Sequence, residues 1–233
     1  MDDSHSTSSF DDERAAAYDA HIRRLAPGYD ALHAMVVSLL STLLDEDAHV
    51  LVVGAGTGAE IRRLGRAHPG WHFTAVDPSP AMLDRCRGHL ADTAVAPRVE
   101  YVCERVEHLD DGAPFDAATS IFVAHFIADP EAKRAFFESI ADRLKPQAPF
   151  VLADLYRVTP RAAFDALIAA WHDAFVRHGA SEAEADRAFA RVDRTISFVE
   201  EPVLDRITRD AGFDGLNCFF QALLWGAWWT RTR

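Results

Sequence analysis

A glycine-rich turn and a carboxylate downstream of it are the residues whose types and spacing indicate chemistry. The apolar run 49–53 leads into Gly54, Gly56 and Gly58, and Asp77 ends a second apolar run. Glycine permits a tight turn and lets a ligand approach backbone N–H groups closely. A carboxylate at the end of the neighbouring strand can accept hydrogen bonds from both hydroxyls of a ribose. The pattern therefore predicts a nucleoside site.

Alternating strands and helices must position this turn. Hydrophobic periodicity predicts strands near 49–54, 72–77, 98–103, 115–122 and 149–155, and helices near 59–68, 79–91 and 130–145. Ser79-Pro80 is a favourable helix start, with a serine cap and proline at the first helical position. Repeated strand–helix alternation predicts a parallel sheet covered on both faces.

The segments on either side of this core have a different pattern. One helix is predicted from Asp11 or Asp12 to Leu25 and another from Tyr29 to Leu44, whereas residues 1–9 read as a disordered tail. Later helices are predicted at 161–178, 182–192 and 202–211, the first two forming a helical insertion at about 160–195. The chain then closes with strands at 213–222 and 227–231. A short break at Trp225-Gly226 predicts that this last pair is antiparallel.

Composition narrows the function classes. The 233 residues include 36 acidic and 24 basic side chains, a net charge of −12, and this disfavours a nucleic-acid substrate. The odd number and wide spacing of Cys86, Cys103 and Cys218 predict buried, reduced thiols in a cytoplasmic protein. We expect no signal peptide, because the first residues are polar, and no membrane association, because no apolar run has spanning length.

The glycine turn matches two nucleotide-binding templates. Gly54 to Ala59 fits G-x-G-x-x-A, which suits a dinucleotide, and Gly54 to Gly58 fits G-x-G-x-G, which suits S-adenosylmethionine. Dinucleotide domains usually begin at their first strand and continue with parallel strands. Here two predicted helices precede the first strand and a hairpin ends the chain, so the context favours S-adenosylmethionine.

Four landmarks resemble class I S-adenosylmethionine-dependent methyltransferases, and the resemblance covers roughly residues 10–231. They are Val52–Gly58, Val76–Met82, Arg143–Pro146 and Asp210–Phe213. The resemblance implies a Rossmann-like α/β fold. Its sheet would be seven-stranded and mostly parallel with an antiparallel last strand, with extra helices at the N-terminus and after strand five. A single domain over 10–233 is expected.

The sequence is more closely similar to the carboxy-S-adenosylmethionine synthase family. The similarity lies in Phe10–Arg14, Pro27-Gly28-Tyr29, Ser79–Met82 and Phe220-Gln221. In that family an arginine in the helices after strand five holds the extra carboxylate. The matching position here is Phe189, and Arg187 and Arg191 lie about 200° away from it on a helix. This departure counts against synthase activity and favours ordinary methyl transfer.

The resemblance also implies roles for the residues of the cofactor site. Gly54, Gly56 and Gly58 would cradle the methionine end, Asp77 would hold the ribose, and Tyr29 would close over the site. Met82 and Val106 would flank the adenine, and Ile121 would also be a cofactor-binding residue. At two positions the sequence departs from the pattern of its relatives. We therefore expect weaker cofactor binding, or that a neighbour such as Glu104 or Glu107 replaces the missing contact. The two positions are Val52 and Arg105, which stand where most relatives carry acidic or amide residues.

Methyl transfer requires alignment more than acid–base chemistry, so few catalytic residues are expected. His125 follows the fourth predicted strand and could act as a general base or orient the acceptor. Its alternative role is a half-buried histidine that hydrogen-bonds a loop. His172 and Asp173 could line a lid or form a solvated helix face, and Asp154 could face the crevice or bond a loop. We predict no metal site, because no ligand spacing is present.

The aromatic residues near the C-terminus, Phe219, Phe220, Trp225, Trp228 and Trp229, could form core packing, an acceptor pocket or a subunit interface. The preferred interpretation of the whole chain is an S-adenosylmethionine-dependent methyltransferase acting on an unidentified small molecule. Three alternatives remain: a carboxy-S-adenosylmethionine synthase-like enzyme, a nicotinamide-dependent oxidoreductase, and a non-catalytic cofactor-binding or assembly protein. The added helices could also pair two copies of the chain as a homodimer.

Overall fold

The computed structural model describes residues 12–110 and 112–233. The predicted tail at 1–9 and the proposed Asp11 cap lie outside these residues. The described elements form one sheet with helices on both faces, and their bounds are as follows. The helices are α1 Asp12–Leu25, α2 Tyr29–Ser41, α3 Ala59–Ala67, α4 Pro80–Leu90, α5 Pro130–Ala141, α6 Arg161–Arg177, α7 Glu182–Thr195 and α8 Glu201–Asp210. The strands are β1 His49–Val53, β2 His72–Val76, β3 Val99–Val102, β4 Ala117–Ile121, β5 Pro149–Arg157, β6 Val199–Glu200, β7 Asn217–Ala222 and β8 Trp225–Arg231.

The sheet has the order β3-β2-β1-β4-β5-β8-β7. Strands β1 to β5 are parallel, and β8 runs antiparallel to both β5 and β7. The mostly parallel sheet with an antiparallel end is therefore confirmed. The strand count is one higher than predicted, because the two-residue β6 pairs with Tyr156 and Arg157 at the end of β5.

The closing hairpin turns two residues earlier than predicted. Leu223 has φ 55° and occupies the turn, whereas Trp225 and Gly226 already belong to β8. They pair with Leu155 and Asp154 of β5 on one side and with β7 on the other. The predicted break at Trp225-Gly226 is therefore wrong, because pairing with two strands outweighs the local preference of glycine for turns.

Two hydrophobic cores lie on the two faces of the sheet. One packs α1–α4 and the inserted helix α6 against residues such as Val50, Val52 and Ala153. The other packs α5 and α8 against Leu51, Val53 and their neighbours. The alternation of Val50–Val53 between the two cores follows from the period of two in a strand, and burial on both faces explains the continuous apolar run.

The insertion after β5 is tied to the N-terminal helix. The indole Nε1 of Trp171 in α6 donates to the backbone oxygen of Leu25 at 2.6 Å, and the Trp171 side chain is fully buried. His172 contacts Asp186 at 3.2 Å, and Asp173 accepts from Arg177 at 2.6 Å on the exposed side. These two residues thus lie on a polar helix face and do not border the cavity described below.

The prediction of three buried thiols is wrong for two of them. Cys86 is buried in α4, but Cys103 and Cys218 are exposed, and all three are free. Cys103 follows the edge strand β3, and Cys218 lies on the other edge strand β7, where one side of the sheet faces solvent. Among the described helices, none is both long and apolar enough to cross a membrane.

Candidate functional site

A cavity of 480 Å³ opens at the carboxyl ends of β1 to β4, where ligands bind in open α/β sheets. Seven of the predicted cofactor residues line it: Gly54, Gly56, Asp77, Met82, Arg105, Val106 and Ile121. The strand order places the residues after β3 at one side of this cavity and those after β4 at the other. The crevice is therefore elongated across four strands, as an extended nucleoside ligand requires.

The glycine turn forms the floor of the cavity between β1 and α3. Gly54 and Ala55 both donate from their backbone N–H groups to the Val76 oxygen, at 2.8 and 3.1 Å. Gly54 has φ 73°, and a Cβ atom there would collide with the Val123 side chain. Gly58, which caps α3 with φ 79°, does not line the cavity, and a Cβ atom on it would lie 2.6 Å from Cys86 Sγ. Gly58 therefore contributes to the turn on the side that packs against α4, and not to the cavity lining.

Asp77 is anchored by the turn that it faces. Its Oδ2 accepts from Gly56 N at 2.8 Å, and its Oδ1 accepts from Ser79 N at 2.9 Å. Burial raises the pKa of Asp77 above its ordinary value, and these two backbone hydrogen bonds oppose the rise. Each carboxylate oxygen has a further lone pair. Asp77 can therefore accept two more hydrogen bonds from a ligand in the cavity.

The side of the cavity at β3 and α4 combines apolar and charged groups. Met82 and Val106 are buried, whereas Arg105 is exposed and lies 3.9 Å from Glu107. Glu104 also lines the cavity. An apolar pair of this kind can sandwich a flat ring, and the surrounding charges can meet its polar edge.

A second, smaller cavity of 40 Å³ adjoins the first at the glycine turn. The residues that line both cavities are Tyr18, Gly54, Gly56, Ile121 and Phe122. Tyr29 lines the small cavity, is buried, and stacks edge-on against His33 with 4.5 Å between ring centroids. Burial raises the pKa of Tyr29 to about 12. Tyr29 is thus placed beside the glycine turn at the end of the site near β4.

Sequence reasoning missed two residues of the small cavity, His33 and Glu60. Both are buried, at 3% and 7% exposure. Burial lowers the pKa of His33 to about 3 and raises that of Glu60 to about 7. One signal was available in the sequence, since His33 lies four residues after Tyr29 and therefore on the same helix face.

Phe122 adopts a backbone conformation that is rare for a bulky residue. It follows β4 with φ 64°, and its N–H donates to Ala153 O at 2.8 Å. Its ring lies 4.5 Å from Trp225 and 6.2 Å from Tyr29. The turn after β4 thereby presents an aromatic ring to both cavities, and such strain is typical of functional sites.

His125 is held behind the cavity and does not line it. Its ring nitrogen Nδ1 bonds Asp154 Oδ1, and its backbone N–H donates to the same oxygen at 3.0 Å. The side chain is 4% exposed and packs 6.4 Å from Trp225. Its backbone oxygen accepts from Ser197 at 2.8 Å. His125 therefore joins β4, β5 and the segment after α7.

The aromatic residues of the last strands pack into the cores. Trp225 and Trp228 are buried, and Phe219, Phe220 and Trp229 are partly buried. Phe189 lies against Trp171 with ring centroids 4.8 Å apart and borders neither cavity. Among the described residues no cluster of three or more histidine, cysteine or acidic side chains could hold a metal ion.

Comparison with known proteins shows which family this part of the chain is similar to. A family model described as a methyltransferase domain matches residues 50–147, which run from β1 through the segment before β5. Residues 50–147 thus form a segment that is similar to methyltransferase domains. The glycine turn, Asp77, Met82, Arg105, Val106 and Ile121 all lie within it.

Curated relatives extend the similarity beyond residues 50–147. The carboxy-S-adenosyl-L-methionine synthase of Dichelobacter nodosus is 29% identical over 224 residues, which cover 94% of this chain and 90% of the relative. The synthase of Klebsiella pneumoniae is 26% identical over 223 residues, covering 94% and 89%.

Solved structures confirm the predicted fold. An O-methyltransferase family protein from Burkholderia thailandensis superposes with a TM-score of 0.63 at 19% identity, over 96% of this chain and 60% of that one. Magnesium protoporphyrin IX methyltransferase from Synechocystis, solved with bound SAH, gives a TM-score of 0.65 at 13% identity, over 91% and 86%. The Rossmann-like class I methyltransferase fold predicted from the sequence is therefore confirmed.

Acidic side chains outnumber basic ones in the lining of the crevice. Its described lining contains the acidic residues Asp77, Glu104 and Glu107, and Glu60 lines the adjoining small cavity. Among the described lining residues, Arg105 alone carries a permanent positive charge. Charges in a cleft with low-dielectric walls are focused, so the crevice favours a cationic ligand.

Proposed function

We propose that the protein binds S-adenosylmethionine in the 480 Å³ cavity and transfers its methyl group to a small-molecule acceptor. The family match, the names of the relatives and the SAH bound to a structural neighbour support this cofactor. The observation that carries the proposal is the anchored Asp77 beside the glycine turn, with an acidic lining suited to a sulfonium cation.

The cofactor would extend along the carboxyl ends of the strands. Asp77 would accept the ribose hydroxyls through the lone pairs that its backbone hydrogen bonds leave available. Met82 and Val106 would enclose the adenine, with the Val106 N–H and Arg105 near its polar edge. The methionine end would lie over Gly54 and Gly56, towards the end of β4.

Methyl transfer from this cofactor is an in-line displacement. A lone pair of the acceptor forms a bond to the methyl carbon while the carbon–sulfur bond breaks and its electron pair stays on sulfur. The sulfonium becomes a neutral thioether, and an acceptor that carried a proton releases it. Alignment of the three atoms in a dry cavity supplies most of the rate enhancement, and a base is needed only for a poorly acidic acceptor.

The end of the cavity near β4 indicates what kind of acceptor fits. It is lined by apolar side chains, namely Phe122, Val123, Phe126, Ile127 and Phe136. Phe126 is 50% exposed, although a buried position is usual for phenylalanine. An acceptor with an apolar or aromatic part would cover this ring, so we propose a small molecule of that class.

His125 belongs to the turn after β4 that carries Phe122, Val123, Phe126 and Ile127, whereas Phe136 lies on α5. The His125 ring is bonded to Asp154 through Nδ1, is 4% exposed and does not line either cavity. In the proposed reaction His125 is therefore a positioning residue, and its predicted role as general base stays a prediction.

Carboxy-S-adenosylmethionine synthesis is the second candidate, because relatives covering 94% of this chain carry that name. A carboxylated cofactor would add a negative charge to a crevice whose described lining is already acidic. A charge in a partly dry site needs a cation partner. Arg105 follows β3, two strands away from the glycine turn, and Phe189 adds no charge.

The cytoplasmic location and the homodimer expected from the sequence belong to the same proposal. Two exposed free cysteines, Cys103 and Cys218, suit a reducing compartment. Pairing of two copies through the inserted helices α6 and α7 can be measured by light scattering of the purified protein.

Ligand binding and product analysis test the proposal together. Calorimetry should show that S-adenosylmethionine binds more tightly than its carboxylated form and that NAD does not bind. Mass spectrometry should detect no carboxylated cofactor after incubation with prephenate and S-adenosylmethionine. Tighter binding of the carboxylated form, or its synthesis, would replace methyl transfer by the second candidate. Binding of NAD would support an oxidoreductase instead, and failure to bind either sulfonium compound would refute both cofactor-dependent functions.

A further inference from the structure

The small cavity beside the glycine turn contains two buried polar atoms without a hydrogen-bond partner among the described residues. They are Nε2 of His33 and Oε1 of Glu60. Buried polar atoms in native proteins are almost always paired, and an unpaired one costs free energy. Two such atoms lining one cavity indicate a site built for a polar group that enters from outside the chain.

The size of the cavity limits the occupant to a small group. Its 40 Å³ can hold one group of about the size of a water molecule, and it cannot hold a nucleoside. It shares its lining residues Tyr18, Gly54, Gly56, Ile121 and Phe122 with the main cavity. A ligand in the main cavity could therefore reach the small one only with a terminal group near the glycine turn.

The ionisable groups around Glu60 come from three helices. They are Arg63 on its own helix α3, His33 and Tyr29 on α2, and Tyr18 on α1. The Thr119 hydroxyl on β4 and the Arg63 guanidinium lower the pKa of Glu60 against the effect of burial. Arg63 itself forms an ion pair with Asp30 and lies 5.7 Å from the Tyr29 ring. Asp19 faces the same turn and accepts from Thr57 at 2.5 Å.

We propose that Glu60 and His33 form a subsite for the α-ammonium group of the methionine end of S-adenosylmethionine. The inference rests on the proposed function and adds to it a recognition site that distinguishes the amino-acid end of the cofactor. An ammonium has three N–H donors. The Glu60 carboxylate supplies an acceptor with a negative charge, and a neutral His33 imidazole supplies a second acceptor at Nε2.

An ammonium suits this pair better than a carboxylate does. A carboxylate beside Glu60 would place two negative charges in a buried site, where like charges repel strongly and cannot both be ionised. A water molecule would satisfy the hydrogen bonds but would not balance the charge of Glu60. A cation satisfies both requirements.

Binding through Glu60 should release a proton. The pKa of Glu60 is about 7 in the free protein, and an adjacent ammonium favours its charged form. Tyr29, with a pKa of about 12, and His33, with a pKa of about 3, remain neutral between pH 6 and pH 8. Because Glu60 is mostly protonated at pH 6, affinity there should be about tenfold lower than at pH 8.

Calorimetry with two probes isolates the ammonium contact. S-adenosylhomocysteine carries the amino-acid end and has no sulfonium to acidify its ammonium, whereas 5′-methylthioadenosine carries the same nucleoside without that end. The unmodified protein should bind S-adenosylhomocysteine about tenfold more weakly at pH 6 than at pH 8, and 5′-methylthioadenosine equally at both. At pH 6.5 the heat of the first probe should vary with the ionisation heat of the buffer.

Two variants identify the residues. Glu60→Gln should weaken S-adenosylhomocysteine about tenfold at pH 8, the loss of one charged hydrogen bond, and should abolish its pH dependence. His33→Leu should also weaken it, and neither change should affect 5′-methylthioadenosine. Glu46→Gln removes the same charge from an exposed loop and should change nothing.

The outcomes separate this inference from the proposed function. If the unmodified protein binds neither probe, the proposed function fails and the subsite fails with it. If both probes bind but neither shows a pH dependence that Glu60→Gln removes, the cofactor assignment stands and the ammonium subsite is overturned. Equal weakening of both probes by Glu60→Gln would also overturn it, since that result reports a distorted site.

Discussion

Replacing Glu60 by glutamine should stabilise the protein, and the gain should grow with pH. The pKa of Glu60 is raised from an ordinary value of 4.5 to about 7, chiefly by burial. A carboxyl group with a raised folded-state pKa contributes stability below its unfolded pKa, and this is lost as pH rises through the folded value. With 1.36 kcal/mol per pH unit, the loss is about 1 kcal/mol at pH 5 and about 3 kcal/mol at pH 8.

Urea unfolding of both proteins at pH 5 and pH 8 measures this effect. Glutamine has nearly the same shape and no charge, and all other titrations are common to both proteins, so they cancel in the difference. The stability of Glu60→Gln relative to the unmodified protein should therefore increase by about 2 kcal/mol between the two pH values. The corresponding change in melting temperature is about 2–4 °C per kcal/mol for a domain of this size.

Glu46→Gln is the matched control, because Glu46 is exposed and should show no comparable pH dependence. A constant stability difference between Glu60→Gln and the unmodified protein would mean that Glu60 titrates normally and is not desolvated. The reasoning about the small cavity would then be refuted independently of any ligand. A variant that is more stable but binds S-adenosylhomocysteine more weakly would show that Glu60 is kept for binding at a cost in stability.

Three further predictions concern the main cavity and its surroundings. Asp77→Ala removes the proposed acceptor for two ribose hydroxyls. Each of these hydrogen bonds would contribute about 1.5–3 kcal/mol, so calorimetry should show at least a tenfold loss of S-adenosylhomocysteine affinity. The exposed Asp84→Ala is its control, and an unchanged affinity for Asp77→Ala would remove the ribose assignment. If residues 12–30, including Tyr29, form a lid, their hydrogen exchange should slow when S-adenosylhomocysteine is added. Equal exchange with and without this ligand would mean that the segment is purely structural. His125→Asn should lower the melting temperature, because it breaks the buried bond to Asp154, and should leave the pH profile of kcat unchanged; loss of its acidic limb would instead identify His125 as the general base.

The sequence alone determined the layout of the fold and identified seven of the residues that line the main cavity. Helix and strand bounds were predicted to within a few residues, because the apolar periods of 3.6 and 2 are local properties of the chain. The glycine turn and Asp77 could be found in the same way. Their geometry depends on one strand–turn–helix unit and on the parallel strand beside it.

Pairing across the sheet decided features that local preference predicted wrongly. Trp225 and Gly226 extend β8 because β5 and β7 offer backbone partners on both sides, and Leu223 takes the turn instead. Cys103 and Cys218 are exposed because their strands lie at the two edges of the sheet. The order of strands along a sheet is a long-range property that a local pattern does not contain.

Tertiary structure alone brought together Glu60 and His33 and withdrew His125 from the cavity. Glu60 lies in the first turn of α3, where exposed acidic residues are common, and nothing in its sequence neighbours indicates burial. It is buried because α2 and α1 cover the start of α3 beside the glycine turn. Likewise, the Asp154 carboxylate on β5 bonds the ring of His125 after β4. Ionisation and hydrogen bonding depend on what surrounds a side chain in space, and those surroundings come from segments that are distant in the chain.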